Sequence, residues 1–201
     1  LKKFRNNKLK SNIHLEGVEI LEQIKNEKTP VIFISGHFSN FELMAMQIEK
    51  SGISLAAIYR PLNNIFLNVL MERIRKKYIC SMQIKKGTGG VRQLLKLYKK
   101  GYSIALMIDQ RVTEGVKSKF FDEEAFTTTI PAQFVKKFKC KVVPLYIERV
   151  NNINFNIKIE KPIEFSKDTS TEEITRNLNI WLERMILKNP SKWIWSHNRW
   201  K

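Results

Sequence analysis

The first residue in this chain whose surroundings suggest chemistry is a histidine at the end of an apolar run. Residues 31–35 (VIFIS) form a continuous apolar stretch of strand length, and His37 follows two residues later. Glu42 lies five residues further on, in the first turn of an apolar helical pattern over residues 40–50 (NFELMAMQIEK). A bend between strand and helix can bring the two side chains together. A carboxylate on imidazole Nδ1 fixes the tautomer and raises the basicity of Nε2, which makes a general base for a hydroxyl. The same placement also suits a histidine that caps a helix or packs beneath a loop. Two further charged residues follow apolar runs. Arg60 comes directly after residues 55–59 (LAAIY), where it can pair with Glu42, bind a phosphate, stabilise a developing oxyanion or stand as a surface arginine. Asp109 comes directly after residues 102–108 (YSIALMI), as a further site residue or a turn cap.

The elements that must position these residues alternate between strand and helix. Residues 16–27 place Val18, Leu21 and Ile24 at helical spacing, and Thr29-Pro30 breaks that helix before the first strand. Ser39 or Asn40 is the expected N-cap of the helix carrying Glu42. Residues 63–77 form an amphipathic helix with Leu67, Leu70 and Ile74 on one stripe. A short strand is expected over 82–85 and a helix over 88–100. Residues 109–126 read as a long connection with little periodicity. A helix over 130–138 has Pro131 in its first turn. Strands are expected over 141–148 and 154–159. A long helix over 169–188 presents Ile174, Leu178, Trp181, Leu182 and Met185 to the core. This alternation predicts an α/β fold, a mainly parallel central sheet flanked by helices, as one domain over residues 1–201. In such a sheet chemistry collects beyond the carboxyl ends of the strands, where His37, Arg60 and Asp109 all fall.

Composition narrows the class. The 201 residues carry 36 Lys+Arg against 19 Asp+Glu, a formal net charge of +17. Such an excess calls for an anionic partner: nucleic acid, an acidic protein, a phosphorylated substrate or an anionic membrane surface. The abundance of Lys, Asn and Ile also fits an AT-rich coding bias. Cys80 and Cys140 have neither CxxC nor Cys/His spacing, so no metal site is expected. No apolar run approaches the ~20 residues that cross a bilayer. The chain begins at Leu1, and the expectation is a fragment of a longer protein.

The segment GHFSNFE, residues 36–42, resembles the H-x-x-x-x-E block of the bacterial lipid A biosynthesis acyltransferases, the lauroyl/myristoyl transferases, where it usually reads GHFGNWE. The resemblance continues in order through YRPLNN (59–64), the helix with Arg73 and Arg75, GYSIALMIDQ (101–110), Gly115-Val116 and Phe120-Phe121, VVP (142–144) and WSHNRW (195–200). Ser39 stands where the family usually has Gly, Phe41 where it has Trp, and Arg111 replaces the acidic residue often found after the DQ pair. The family's N-terminal membrane helix is expected to lie outside this chain.

The resemblance implies a glycerolipid-acyltransferase-like fold and an O-acyltransferase. It would move a fatty acyl chain from acyl carrier protein, or in some cases coenzyme A, to a hydroxyl of a lipid A precursor. His37 is then the general base, with Glu42 or the carboxylate of Asp109 as its partner. Arg60, Asn40 and Gln110 are the expected substrate- or oxyanion-binding side chains. No cofactor is implied, because the donor thioester is already activated. The implied partners are acyl carrier protein, a phosphorylated lipid acceptor and an anionic membrane surface, at the cytoplasmic face of the bacterial inner membrane. Another phospholipid or glycolipid acyltransferase is an alternative within the same chemistry. A basic nucleic-acid-binding module is the alternative of a different class, without a helix-turn-helix, zinc-finger or RNP motif to support it. His197 is expected to be structural and His14 exposed. Phe120-Phe121 is expected in the core. The C-terminal tryptophans Trp181, Trp193, Trp195 and Trp200 are expected to cap the core, with a membrane-interface belt as the alternative.

Overall fold

Short apolar runs bounded by turn residues become strands, and the longer periodic segments between them become helices. A computed structural model describes residues 1–113 and 115–200. The chain opens with α1 (Lys2–Arg5), a 3-10 turn (Lys10–Asn12), β1 (Ile13–Glu16) and α2 (Val18–Glu27). Three strand–helix units follow: β2 (Ile32–Ser35) with α3 (Glu42–Lys50), β3 (Leu55–Tyr59) with α4 (Ile65–Tyr78), and β4 (Met82–Lys85) with α5 (Thr88–Lys99). Next come β5 (Ser103–Met107), the hairpin β6 (Val116–Phe120) and β7 (Glu123–Thr127), and α6 (Ile130–Phe138). The chain closes with β8 (Val142–Asn151), β9 (Asn154–Ile159), α7 (Thr171–Lys188) and a second 3-10 turn (Pro190–Lys192).

Seven strands form one sheet in the order β1-β9-β8-β2-β5-β3-β4. Every neighbouring pair is parallel except β8 with β9. This is the mainly parallel α/β sheet expected from the alternation of elements. Ile32, Phe33 and Ile34 of the central strand β2 are all buried, so its sequence is a continuous apolar run rather than an alternating one. After β2 the chain crosses β5 to reach β3, and after β5 it returns to β8 on the other side of β2. The carboxyl ends of β2 and β5 therefore border the crevice where the direction of winding reverses. Ser35 pairs with Met107 in the ladder, so His37 and Asp109, each two residues beyond that pair, leave the sheet at the same level.

Two expectations need correction, and two features go beyond the sequence reading. Residues 109–126 contain the β6–β7 hairpin rather than an unstructured connection. Its inward positions include the polar Ser118 and Thr127, which hid the alternation. They are satisfied by Asn179 of α7, which is fully buried and donates from Nδ2 toward Ser118 Oγ (3.2 Å), Lys119 O (3.0 Å) and Thr127 Oγ1 (3.2 Å). β1 was not anticipated; it forms an edge strand beside β9.

Neither Ser39 nor Asn40 caps α3, which starts at Glu42 with Phe41 as N-cap. Ser39 adopts φ 42, in the left-handed region, and its Oγ accepts the Arg149 backbone N–H, while Asn40 Oδ1 accepts from the Arg149 guanidinium. A glycine, the usual residue there by resemblance, takes this φ without a Cβ penalty. The Leu67 and Leu70 positions of the expected amphipathic helix face outward, and no residue of α4, all of them described, is buried.

The long helix α7 matches its expected face: Ile174, Leu178, Trp181, Leu182 and Met185 are buried, and Ser170 Oγ caps it by accepting the Glu173 N–H. Asn179 on that face is the polar exception that ties the hairpin down. Replacing Asn179 with Ala leaves buried acceptors unpaired, and each such group costs about 1–3 kcal/mol. Asn179→Ala is expected to lower unfolding free energy by about 2 kcal/mol, read as a shift of the urea midpoint with the slope unchanged.

Candidate active site

His37 owes its position to Gly36. A Cβ at Gly36 would come within 2.9 Å of both Leu182 Cδ1 and the Phe38 ring, so a side chain there would push the turn away from α7. The turn is further held by the Phe38–Trp193 bridge and by the Ser39 N–H and Ile194 N–H bonds to Lys192 O and His37 O. The carboxyl end of β2 is thereby pinned to the C-terminal segment.

The carboxylate on the His37 imidazole is Asp109. His37 Nδ1 lies 2.7 Å from Asp109 Oδ1, and the His37 backbone N–H donates to Asp109 Oδ2 at 2.7 Å. Trp193 Nε1–H donates to the same Oδ2 at 2.8 Å. Asp109 is only 2% exposed. Burial pushes its pKa up, but the hydrogen bonds and charge of His37 and the bond from Trp193 outweigh that, so the carboxyl is held below its ordinary value. An ionised Asp109 accepts a hydrogen bond from Nδ1–H, which leaves the Nε2 lone pair as the basic site. The edge of Phe41 packs on the imidazole, with ring centroids 4.6 Å apart.

Glu42 does not serve as this partner. Its Oε1 accepts from Arg75 Nε at 2.8 Å, so the first carboxylate expected beside His37 instead ties α3 to α4. Arg75 also lies over the Tyr59 ring at 5.7 Å. Glu42 and Arg75 both line the same cavity as His37, and their role is to shape its wall.

That cavity has a volume of about 570 Å³ and opens from the carboxyl ends of β2, β3 and β5. Its apolar depth is lined by Phe33, Ile48, Ile58, Leu94, Ala105 and Leu145. Arg60 stands at its rim, and among the described residues no hydrogen bond or ion pair engages it. Lys86 lines the cavity too, and its pKa is lowered by burial and by the charge of Arg60. The rim therefore gathers cationic charge, with Lys86 a member that sequence reading did not single out.

Gln110 also lines the cavity. Its Nε2 lies 3.4 Å from His37 Nε2 and 3.1 Å from His197 Nε2. The contact to His37 is long enough for an incoming hydroxyl to displace it. Asn40 lies outside the cavity lining, engaged by Arg149. His197, expected to be structural, stands beside His37 with ring centroids 6.1 Å apart and lines the cavity. Its place in the C-terminal WSHNRW block was the available signal. His14 is exposed, as expected.

Arg199 from the same block is fully buried. Its guanidinium donates to Gln110 O (2.9 Å), Phe126 O (2.7 Å) and Thr127 Oγ1 (2.9 Å), and lies over the Phe120 ring. Burial lowers its pKa to about 10, against the opposing charge of Asp109. Arg199 thus locks the backbone beside Asp109 to the hairpin. Phe120 is core, stacked on Trp200 at 5.5 Å. Trp181 and Trp193 are buried, while Trp195 and Trp200 remain partly exposed.

The arrangement is a carboxylate–imidazole pair facing an apolar chamber with a cationic rim. Asp109 is expected to contribute stability fully above its unfolded pKa of about 3.9, and to lose it as pH falls through its lower folded value. The stability gap between the wild type and Asp109→Asn should therefore narrow between pH 6 and pH 3, as measured by urea unfolding at both. A constant gap would mean that Asp109 carries no preferential charge in the folded chain.

The family described as "Bacterial lipid A biosynthesis acyltransferase" matches residues 1–201. Among curated relatives, the "Lipid A biosynthesis myristoyltransferase" of Escherichia coli (strain K12) is 22% identical over 193 residues, covering 94% of this chain and 58% of that protein. The "Lipid A biosynthesis lauroyltransferase" of the same strain is 26% identical over 193 residues, covering 92% of this chain and 60% of that protein. The chain thus spans about three-fifths of the length of these relatives. Among solved structures, the 1-acyl-sn-glycerophosphate (LPA) acyltransferase of Thermotoga maritima superposes with a TM-score of 0.51 at 16% identity. That match covers 91% of this chain and 74% of the other, and it shows a shared fold.

Proposed function

This chain belongs to the bacterial lipid A biosynthesis acyltransferase family, and from that premise we propose that it is an O-acyltransferase using His37 as general base. The single observation that carries the proposal is the 2.7 Å contact between His37 Nδ1 and buried Asp109, with Nε2 turned toward a cavity of about 570 Å³. The donor is an acyl thioester of acyl carrier protein, and the acceptor is a hydroxyl of a phosphorylated lipid A precursor.

The chemistry follows from the geometry. A hydroxyl has a pKa far above neutral, so it is not ionised in advance; Nε2 removes its proton as the oxygen attacks the thioester carbonyl. The carbonyl becomes a tetrahedral oxyanion, and His37 becomes an imidazolium stabilised by Asp109 through Nδ1. Collapse of the intermediate forms the ester, breaks the C–S bond and expels the donor sulfur, which takes the proton from Nε2. Asp109 stays ionised throughout and serves to orient the ring. Gln110 and His197 lie next to the reacting edge of His37. Arg60 and Lys86 at the rim suit an acceptor phosphate, with Arg60 also placed to favour the oxyanion.

The wider reading follows from charge. A carrier protein rich in acidic residues, a phosphorylated acceptor and an anionic membrane are all attracted to a chain of net charge +17. By family resemblance the reaction is read at the cytoplasmic face of the bacterial inner membrane, with the acyl chain in the apolar depth of the cavity.

Turnover of acyl-acyl carrier protein with a lipid A precursor tests the assignment. His37→Ala is expected to lower kcat by about 10²–10⁴-fold, and Asp109→Asn by a comparable factor through loss of the correct tautomer. Near-ultraviolet circular dichroism should show both variants folded. Equal turnover of wild type and His37→Ala would overturn the mechanism. A chain that consumes no acyl donor but binds DNA or RNA with a steep salt dependence would overturn the activity itself.

A further inference from the structure

Helix α4 is built inside out. Asn68, Glu72 and Arg75, spaced four and then three residues apart, form one stripe. That polar stripe faces the protein: Asn68 Oδ1 accepts the Leu62 N–H, Asn68 Nδ2 and the Tyr59 hydroxyl donate to Glu72 Oε1, and Arg75 pairs with Glu42. The opposite side carries the large apolar residues. Phe66 is 89% exposed and Ile65 is 76% exposed, and Leu62, Leu67, Val69 and Leu70 are exposed around them. An ordinary surface helix turns its apolar stripe toward the core, and a single exposed leucine needs no explanation, but six adjacent large apolar side chains at one helix start do.

The outward face changes character along its length. Phe66, Leu70, Arg73 and Lys77 follow one row at spacings of four, three and four, and Lys76 flanks that row. Arg73, Lys76 and Lys77 are exposed. From Phe66 to Lys76 the helix rises ~15 Å. A helix inclined to the membrane plane can therefore bury the apolar tip ~5–10 Å into the headgroup/acyl boundary while the cationic end stays at the level of the phosphates. The tip also adjoins the cavity: Leu62 and Asn63, just before α4, line it, as does Arg75.

We propose that the N-terminal half of α4 with Leu62 docks into an anionic lipid bilayer, the apolar tip entering the leaflet and Arg73, Lys76 and Lys77 meeting lipid phosphates. Docking this way holds the cavity mouth against the lipid surface, so that an amphiphilic acceptor passes from the leaflet to His37 without crossing water. The choice of a bilayer as occupant rests on the lipid-acceptor reading above and on the apolar-to-cationic order of the face. In a two-fold contact that packs α4 parallel to its copy, Arg73, Lys76 and Lys77 would meet their own equivalents, which like charge disfavours.

The test is flotation of the chain with vesicles of phosphatidylethanolamine and phosphatidylglycerol, compared with phosphatidylcholine alone. Wild type is expected to float with the anionic vesicles, and Phe66→Asp/Leu70→Asp is expected to lose about tenfold or more in partitioning, with an unchanged circular dichroism spectrum. Neither residue lines the cavity, so turnover of a detergent-dispersed acceptor should be unchanged in the variant while turnover on vesicles falls. Equal flotation of variant and wild type would overturn the proposal, as would a wild type that fails to float. A wild-type dimer in vesicle-free gel filtration that the variant abolishes would also overturn it, by assigning the face to self-association. Flotation that depends on Phe66 and Leu70 in a chain without acyl transfer would support the docking surface and remove the functional reading alone.

Discussion

The hydrogen bond between His37 and Asp109 is the constraint on which the rest of the architecture depends. It joins the ends of two adjacent parallel strands, β2 and β5, at one level of the sheet. Asp109 is buried, so its charge is tolerable only while three donors reach it: the His37 ring, the His37 backbone N–H and the Trp193 indole. Each donor requires a different part of the chain to be in place. The imidazole needs the turn after β2, and Trp193 needs the C-terminal segment folded back across the sheet. Arg199 adds a fourth tie, fixing the Gln110 carbonyl next to Asp109 to the hairpin. The pair is therefore assembled only by the completed fold, and the rigidity that keeps Nε2 aimed at the cavity comes from packing far from the imidazole.

The two carboxylates near His37 in sequence and space divide their work by burial. Asp109 is almost fully buried and holds the imidazole, whereas Glu42 is partly exposed and holds Arg75. A buried carboxylate with several donors stays ionised and directional, which suits an orienting role. The Glu42–Arg75 pair couples the helix after β2 to the helix after β3, and both residues line the cavity. It keeps α4 in place with its polar stripe inward, which leaves the apolar stripe to face outward. The wall of the His37 cavity and the exposed apolar tip of α4 are thus two faces of one helix.

The fold class was legible because the central strands are buried on both faces and therefore read as unbroken apolar runs. The positions of His37, Arg60 and Asp109 at strand ends were legible for the same reason. The β6–β7 hairpin was not, because Ser118 and Thr127 occupy its inward positions, and their burial makes sense only once Asn179 is known to face them. The outward orientation of the α4 stripe was not legible, because periodicity identifies a face without saying which medium it meets. The partner of His37 required spatial information: Glu42 is near in sequence, while Asp109 is 72 residues away and becomes adjacent through strand pairing. His197 and Arg199 lay in a recognisable block, yet their proximity to the site arises from the return of the C-terminus over the sheet.

These relations reduce the functional account to one physical claim, that Asp109 holds the proton on Nδ1 and leaves the Nε2 lone pair free toward the cavity. Nitrogen-15 nuclear magnetic resonance of the imidazole rings, assigned with His37→Ala, measures that claim directly. Neutral His37 is expected to be the Nδ1–H tautomer, and Asp109→Asn is expected to shift the ring toward the Nε2–H form. A neutral His37 already protonated on Nε2, or a ring whose tautomer is indifferent to Asp109→Asn, would contradict it.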